Sequence, residues 1–511
     1  MLYKDTPYAG YCIALIAGII LGSFMNSVLY SNIAFIIFTV ILVFNISLYG
    51  NRRSSVFFGL FIHCSIFCIG CSLSIIQKNK LQYIEPGVHL FIVKTDNYPS
   101  PAKRSLKINS SLLKIDGKDG YKNNKLVLYT DDRFVSDSLK PGSIISFISQ
   151  ASEITDFDSS DNFDYRTFMN NRGFRYSTFC YDSILVIDEK PGIKHLALRF
   201  RKVLQAKLAN TMTDKKSLAI VSAMTLGYRD MVDDEIKEEF RKSGIIHIMA
   251  VSGLHVGIVS LIIISLLRIV RIKTGLASLI ISLIIIWTYA FITGLSPSVT
   301  RASVMFSFLN TGYFIYRPVK PLNSVMASAF LILIINPSMI YEASFLLSYS
   351  AVISIVSNYS KLLAKANLRG RFLSSIWKIL TVSILAQAGT IPFVTLFFDE
   401  IPLFSLFSNL FAIPLATIIL IMGFALILLG GLPLIPGILN NIINFSVTTL
   451  SDSAASIASL EKAVISVSDI SAPRAIVLFL LLMVLIRFLL DSEKNNPHIL
   501  LTCIVLYFII P

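Results

Sequence analysis

The chain has 511 residues, 54% of them apolar, and a mean hydropathy of +0.70, which excludes a soluble globular protein of this size. Repeated apolar runs near 20 residues are long enough to span a bilayer, so the chain reads as a polytopic α-helical membrane protein of about 13 spans. The net charge of +14 fits an anionic partner, but a cytoplasmic bias of lysine and arginine produces the same excess.

The first apolar run, Tyr8 to Tyr30, is too long for a signal core and lacks a basic leader, so it reads as a retained anchor. Ile33 to Tyr49 and Val56 to Ile76 follow as spans, completing an N-terminal transmembrane region over 1–76. The basic loop Asn51-Arg52-Arg53 belongs in the cytoplasm. That places the N-terminus inside and the chain after Gln77 outside. Cys64, Cys68 and Cys71 spell C-x3-C-x2-C, but they fall on one face of an apolar helix, where packed thiols fit better than an iron–sulfur set. Cys180 has no obvious partner, and no disulfide framework follows.

From Gln77 the apolar runs shorten to strand length. His89 to Lys94, Ser105 to Ile115, Lys125 to Thr130, Ser143 to Ile148 and Phe174 to Ile187 read as strands, with Asp116-Gly117, Asp119-Gly120 and Pro141-Gly142 as turns. Five short strands over 77–191 suggest a small extracytoplasmic β-barrel of the OB-like kind. Lys94, Lys103, Arg104, Lys107, Lys114, Lys118, Lys122 and Lys125 make a basic half, interleaved with Phe91, Tyr98, Tyr121 and Tyr129. Cations with stacking rings suit a single-strand binder, for which Lys103, Arg104, Lys107, Tyr121 and Tyr129 are the candidate contacts. Solvated lysines and barrel-core aromatics give the same pattern. The acidic stretch Glu153 to Asp164 would repel a phosphate backbone.

Residues 192–244 form a connecting region. His195 to Met212 is amphipathic, with Leu196, Phe200, Val203, Leu204 and Leu208 on one stripe, as in a helix lying along lipid headgroups. Lys215 to Gly227 is apolar but short. Asp230 to Ser243 reads as a helix, acidic at its start and basic at its end, with Gly244 as its stop.

The channel-like region, 245–511, holds about ten further apolar spans. Its basic loops, Arg268 to Lys273, Arg317 to Lys320 and Lys361 to Arg371, recur at every second turn, in phase with a cytoplasmic N-terminus. GIIHIMAVSGLHVG, Gly244 to Gly257, opens an apolar segment that continues to about Leu267. His247, Ser252 and His255 lie where a membrane helix should be aliphatic, and polar groups at that depth usually mark function. Gly253 and Gly257 are spaced G-x-x-x-G for close helix packing; a plain packing seam is the competing reading. In one regular helix the two histidines would sit about 12 Å apart, which is no zinc spacing. His63, His89, His195 and His498 offer none either, so neither a metal nor a cofactor is expected. Ser252 with His255 admits an intramembrane hydrolase, although no orienting carboxylate is evident. In FITGLSPSVTRAS, Ser296 can cap a helix with Pro297 at its first position, and Arg301 lies just inside the membrane. It must face protein, water or an anion there, or else snorkel to the headgroups. Ala386 to Leu415 carries Gln387, Pro392, Asn409 and Pro414 in apolar surroundings, and prolines there free carbonyls as in broken transporter helices.

Ser222 to Gly257, together with GLSPSVTRA, NPSMIYEASFLLSYSAV (Asn336 to Val352) and FSNLFAIPL (Phe407 to Leu415), resembles the ComEC family of competence proteins, in family order. The resemblance implies a membrane channel that admits single-stranded DNA in natural transformation, not an enzyme, in the bacterial plasma membrane. Ser252, Gly253, His255, Arg301 and Asn409 match family motif positions, and His247 and Gln387 join them as candidates for lining the DNA path. Many relatives continue into a metallo-β-lactamase-like domain, whereas here an apolar span ends at Pro511. A separate nuclease is therefore expected, with a DNA receptor on the outer side and, since no Walker A loop is found, a cytoplasmic ATPase or helicase. Membrane lipids are the remaining partner. A secondary transporter of a small or lipid-like solute is the alternative reading.

Overall fold

The computed structural model describes residues 6–25, 36–38, 40, 55–78, 82–102, 105–121, 124–134, 139–155, 165–269, 271, 275–314, 320–366, 368, 370–467, 470–490 and 497–509. Most of the expected second span, the Asn51-Arg52-Arg53 loop, Lys103, Arg104 and Lys122 lie outside the described residues. Two compact units form: 1–199 with 323–342, and 200–322 with 343–511.

In the first unit, helices α1 (Pro7–Phe24) and α2 (Ser55–Lys78) pack through glycine. A Cβ on Gly70 would fall 2.5 Å from the Leu15 carbonyl oxygen, and one on Gly18 would strike that of Phe67. Backbones approach this closely only where side chains are absent. The helix Pro321–Ile335 joins this unit despite its distance in sequence. Asn323 Oδ1 accepts from the Tyr8 amide at 3.1 Å, and the Met326 carbonyl accepts from Cys12 Sγ at 3.0 Å.

The β domain contains β1 (Val88–Thr95), β2 (Ser100–Pro101), β3 (Leu106–Ile115), β4 (Lys118–Asp119), β5 (Lys125–Thr130), β6 (Ser143–Glu153), helix α3 (Tyr165–Asn171), β7 (Phe174–Cys180) and β8 (Leu185–Glu189). Alternation directs Phe91, Val93, Ile108, Leu112, Leu126, Leu128, Ile145 and Phe147 into one core. β1 pairs with β3, β3 with β5, β5 with β7 in parallel, β7 with β6, and β6 again with β1, so the pairing returns to its starting strand. The strand expected over Phe174 to Ile187 is instead two. Asp182 breaks it: its side chain accepts from the Ser183 amide and its carbonyl from Cys180 Sγ, turning the chain before β8 pairs with β6. α3 covers the outer face, where Val127, Ile154, Met169 and Phe174 form a second small core.

Helix α4 (Ile193–Thr211) divides its apolar stripe. Leu208 is buried in a core, whereas Leu196, Phe200 and Val203 remain exposed. The second unit continues with α5 (Lys215–Val221), which Asp214 caps by accepting from the Ser217 amide at 2.8 Å. A π-turn, Ser222–Leu226, leads to α6 (Asp234–Lys242) and α7 (Ile246–Met249). Then come α8 (Gly253–Ile269), α9 (Leu276–Ile292), α10 (Pro297–Phe314), α11 (the Pro321–Ile335 helix already placed), α12 (Ala343–Ala364) and α13 (Arg371–Phe398). The strand β9 (Glu400–Pro402) precedes α14 (Ser405–Leu429) and α15 (Ile435–Ala458). β10 (Val464–Ser466), paired with β9, is followed by α16 (Ala472–Leu490) and α17 (Pro497–Ile509).

Among the described residues, α1, Gly59–Lys78 of α2, α13, α14 and α16 are long and apolar enough to cross a membrane, and α8, α9, α11 and His498–Ile509 are shorter apolar helices. The chain is a mostly helical membrane protein carrying a β-sheet domain. Asn310 joins three of its helices, donating to Ser282 Oγ at 2.6 Å and to Ser260 Oγ at 3.4 Å. Buried amide-to-hydroxyl bonds supply the specificity that lipid-facing apolar packing lacks.

Candidate functional site

Gly244 ends α6 with φ +78°, the left-handed conformation expected of a glycine stop. It is also pressed against the start of α14: a Cβ here would lie 2.5 Å from Ser405 Cβ. Arg241, one turn earlier, is ion-paired with Glu238 at 2.6 Å and with Glu400.

The single span expected from Gly244 to Leu267 is interrupted. α7 lasts four residues, Ala250 is extended (φ −88°, ψ 133°), and α8 starts afresh at Gly253. The restart is built by Ser252 and His255. The Ser252 carbonyl accepts from the amides of His255 at 3.1 Å and Val256 at 3.3 Å. In return the Ser252 amide donates to His255 Nδ1 at 3.1 Å, and the Ser252 hydroxyl lies 2.9 Å from the same nitrogen. This is the returning half of a capping box, the third helical side chain accepting from the N-cap amide, with histidine in the place usually taken by glutamate. Because Nδ1 accepts from a backbone N–H, the neutral ring carries its proton on Nε2. The Ser252–His255 contact thus closes a helix start, and His255 is buried. His247 differs. Its side chain is exposed, and its ring is bonded to the Gly244 backbone.

Gly253 and Gly257 face α10. Added Cβ atoms would meet Ala302 Cβ at 3.7 Å and Phe306 Cζ at 3.2 Å, so α8 and α10 run parallel with their N-termini at the same end. Arg301, beside Ala302, is 2% exposed. Its Nη2 donates to the Ser344 carbonyl at 2.8 Å and its Nη1 to Ser344 Oγ at 3.3 Å, in the first turn of α12. Snorkelling to headgroups is therefore ruled out: the guanidinium is held inside the protein. Pro297 does open α10, but Ser296 Oγ is buried without a hydrogen bond; the Ser296 carbonyl, not its hydroxyl, receives the Thr300 amide. The start of α12 thus meets Arg301, and the start of α8 packs on the neighbouring Ala302, each helix start carrying about half a positive charge. Such an arrangement favours anions.

Gln387, on α13 one turn before Pro392, donates to Ser405 Oγ at 2.6 Å. Asn409 lies one turn further along α14, and its Oδ1 is shielded from solvent without a hydrogen-bond partner. Gln387 and Gly244 thus meet at Ser405, while Gly253 packs on Ala302, the residue after Arg301 in α10. His247 and His255 are within electrostatic reach of each other between these groups. Ser344 and Ser405 escaped the sequence reading; their common signal is a hydroxyl in the first turn of an apolar helix. Among the described residues no His, Cys, Asp or Glu group is placed to hold a metal ion.

On the β domain, Lys107 and Tyr129 are direct cross-strand partners. Lys125 Nζ stands 5.3 Å over the Phe174 ring, and the Arg172 guanidinium 4.1 Å over Phe168. Burial holds both lysines below the usual range, and the charge of Arg172 adds to this. Tyr129 is half-buried beneath α3. Tyr121 packs against the core of the β domain instead. Lys103 and Arg104 lie outside the described residues. Glu153, from the acidic stretch, is paired with Arg175 at 2.9 Å and Arg166 at 3.7 Å.

A family described as competence protein matches residues 224–492. The chain belongs to that family, the ComEC family of competence proteins. This competence protein is 27% identical over 261 residues to ComE operon protein 3 of Bacillus subtilis (strain 168), covering 51% of this chain and 32% of the relative. It is 29% identical over 241 residues to an uncharacterized protein of Aquifex aeolicus (strain VF5), covering 47% of this chain and 54% of that one. The matches thus span about a third and about half of those relatives' lengths. No solved structure matches. Every path candidate from His247 to Asn409 falls within the family region, whereas the β domain precedes it.

Proposed function

We propose that this competence protein acts in DNA uptake, as a channel through which one DNA strand crosses the bacterial plasma membrane. One observation carries this reading: non-helical backbone at Ala250–Ser252, next to the exposed polar ring of His247. Irregular backbone at membrane depth is tolerated only when packed in protein or lining a wet cavity. His247, Gln387, Ser405 and Asn409 supply neutral polar groups along such a passage. Arg301 and these helix starts supply positive potential for passing phosphates. No covalent step is required of them.

In this reading the protein has about 13 spans, a cytoplasmic N-terminus consistent with its basic loops, and 77–191 on the outer side as an OB-like barrel. The closed ring of pairings with one parallel contact supports that assignment. A DNA receptor outside, an ATPase or helicase inside and a separate nuclease are its proposed partners.

The test is uptake of labelled DNA by cells expressing His255→Ala or Arg301→Ala at normal levels. Loss of the His255 bond that holds the break open, or of the Arg301 charge, predicts a fall of at least about tenfold in DNA entry with surface binding intact. Normal entry in both variants contradicts the assignment.

A further inference from the structure

Lys107, Lys125 and Arg172 gather on one outer patch of the β domain, flanked by Tyr129, Phe174 and Phe168. Burial lowers the affinity of Lys125 for its proton; Lys194 and Arg172 act in the same direction, while Asp96 and Glu342 oppose them. The patch therefore concentrates like charge, a situation that calls for a bound anion. In the structure a carboxylate meets that need. Glu342 Oε1 lies 3.5 Å from Arg172 Nε, with the Glu342 side chain only 11% exposed, just after the tight turn Pro337–Tyr341. Arg172 and Glu342 are 170 residues apart in sequence, so the contact is made by the fold and not by local chain geometry.

A carboxylate and a phosphate present similar oxygen acceptors to a guanidinium. We infer that Glu342 is an internal phosphate stand-in, occupying the anion position at Arg172 until a phosphate of an incoming single strand displaces it. The inference rests on the DNA-uptake reading and specifies how the outer domain engages its substrate. Binding at this face becomes an exchange of anions. A lone phosphate gains little by replacing a carboxylate, whereas a strand also brings further phosphates to Lys107 and Lys125. The exchange thus selects polymers over nucleotides.

The experiment uses the full chain in detergent and a fluorescein-labelled oligothymidylate, with affinity read by fluorescence anisotropy. Glu342→Gln is expected to bind about threefold to tenfold more tightly, the range for releasing a partly exposed ion pair. Arg172→Gln is expected to bind more weakly, with a log–log salt slope shallower by about 0.7 for one lost phosphate contact. The double variant should bind no more tightly than Arg172→Gln, because the carboxylate acts through that arginine. Unchanged or weaker binding by Glu342→Gln, with Arg172→Gln still impaired, overturns the inference and leaves DNA binding by this domain standing. Failure of both the unmodified protein and Glu342→Gln to bind removes the strand-binding reading and the inference together. Should Glu342→Gln not fold, Glu342→Asp replaces it: the shortened carboxylate predicts a smaller gain, and no gain overturns the inference.

Discussion

Gly244→Ala probes the joint on which the candidate path depends. Two costs add. Alanine at φ +78° is strained by about 1–2 kcal/mol. Its Cβ would also lie 2.5 Å from Ser405 Cβ and 3.1 Å from Pro402, so the start of α14 must retreat by about 1 Å to reach ordinary contact, an overpacking cost of about 1–3 kcal/mol. The sum is roughly 2–5 kcal/mol, which lowers the melting temperature by about 5–15 °C for a unit of this size. Gly117→Ala is the control, because Gly117 has the same φ of +78° with nothing within 4 Å. It isolates the backbone strain, read in the transition of its own unit. Thermal unfolding of the detergent-solubilised protein, followed by intrinsic fluorescence, measures both. Equal, small shifts for the two variants would refute the claim that Gly244 is wedged against Ser405.

Asn310→Ala should destabilise the second unit by about 1 kcal/mol, since it removes interhelical bonds to Ser282 and Ser260; a melting temperature within error of the unmodified protein contradicts this. On the β domain, His89 Nδ1 lies 2.6 Å from Asp116 Oδ2, and Nε2 lies 2.9 Å from the Glu85 carbonyl. The Asp116 bond first, then the Glu85 bond, raise the His89 pKa above its ordinary 6.5. A raised folded pKa means this stability is fully present below about pH 6.5 and is lost as pH rises through the folded value. Asp116, lowered by the same bond, loses its contribution on acidification below the ordinary carboxylate range. Melting curves should therefore show the domain less stable at alkaline pH than near pH 6, and Asp116→Asn should flatten that dependence. A pH-independent difference between the two proteins contradicts the pairing.

Local signals were the legible ones. Lys125 to Thr130 is a strand in both sequence and structure because it is a short apolar run covered on both faces, and Gly244 stops a helix because a left-handed residue there nearly requires glycine. What escaped was decided over distance or by competition between bonds. No periodicity marks Asn323 as the partner of Tyr8, or Glu342 as that of Arg172. The apolar run through Ile248 and Val251 conceals a helix break, since hydropathy is blind to the His255 ring accepting from the Ser252 amide. Ser296 shows the converse: a residue well suited to cap by type leaves its hydroxyl unbonded. Lys107 with Tyr129 could be recognised only as members of a basic, aromatic stretch, because their adjacency depends on strand register.

A photo-crosslinking residue placed at position 247 during uptake of labelled DNA tests the wet, strand-wide passage most directly, with position 261, on the exposed apolar surface of α8, as the reference. A wet passage lined by position 247 predicts that the incoming strand is trapped at 247 and not at 261. Uptake proceeding with no adduct at 247, or with equal adducts at both positions, would contradict it.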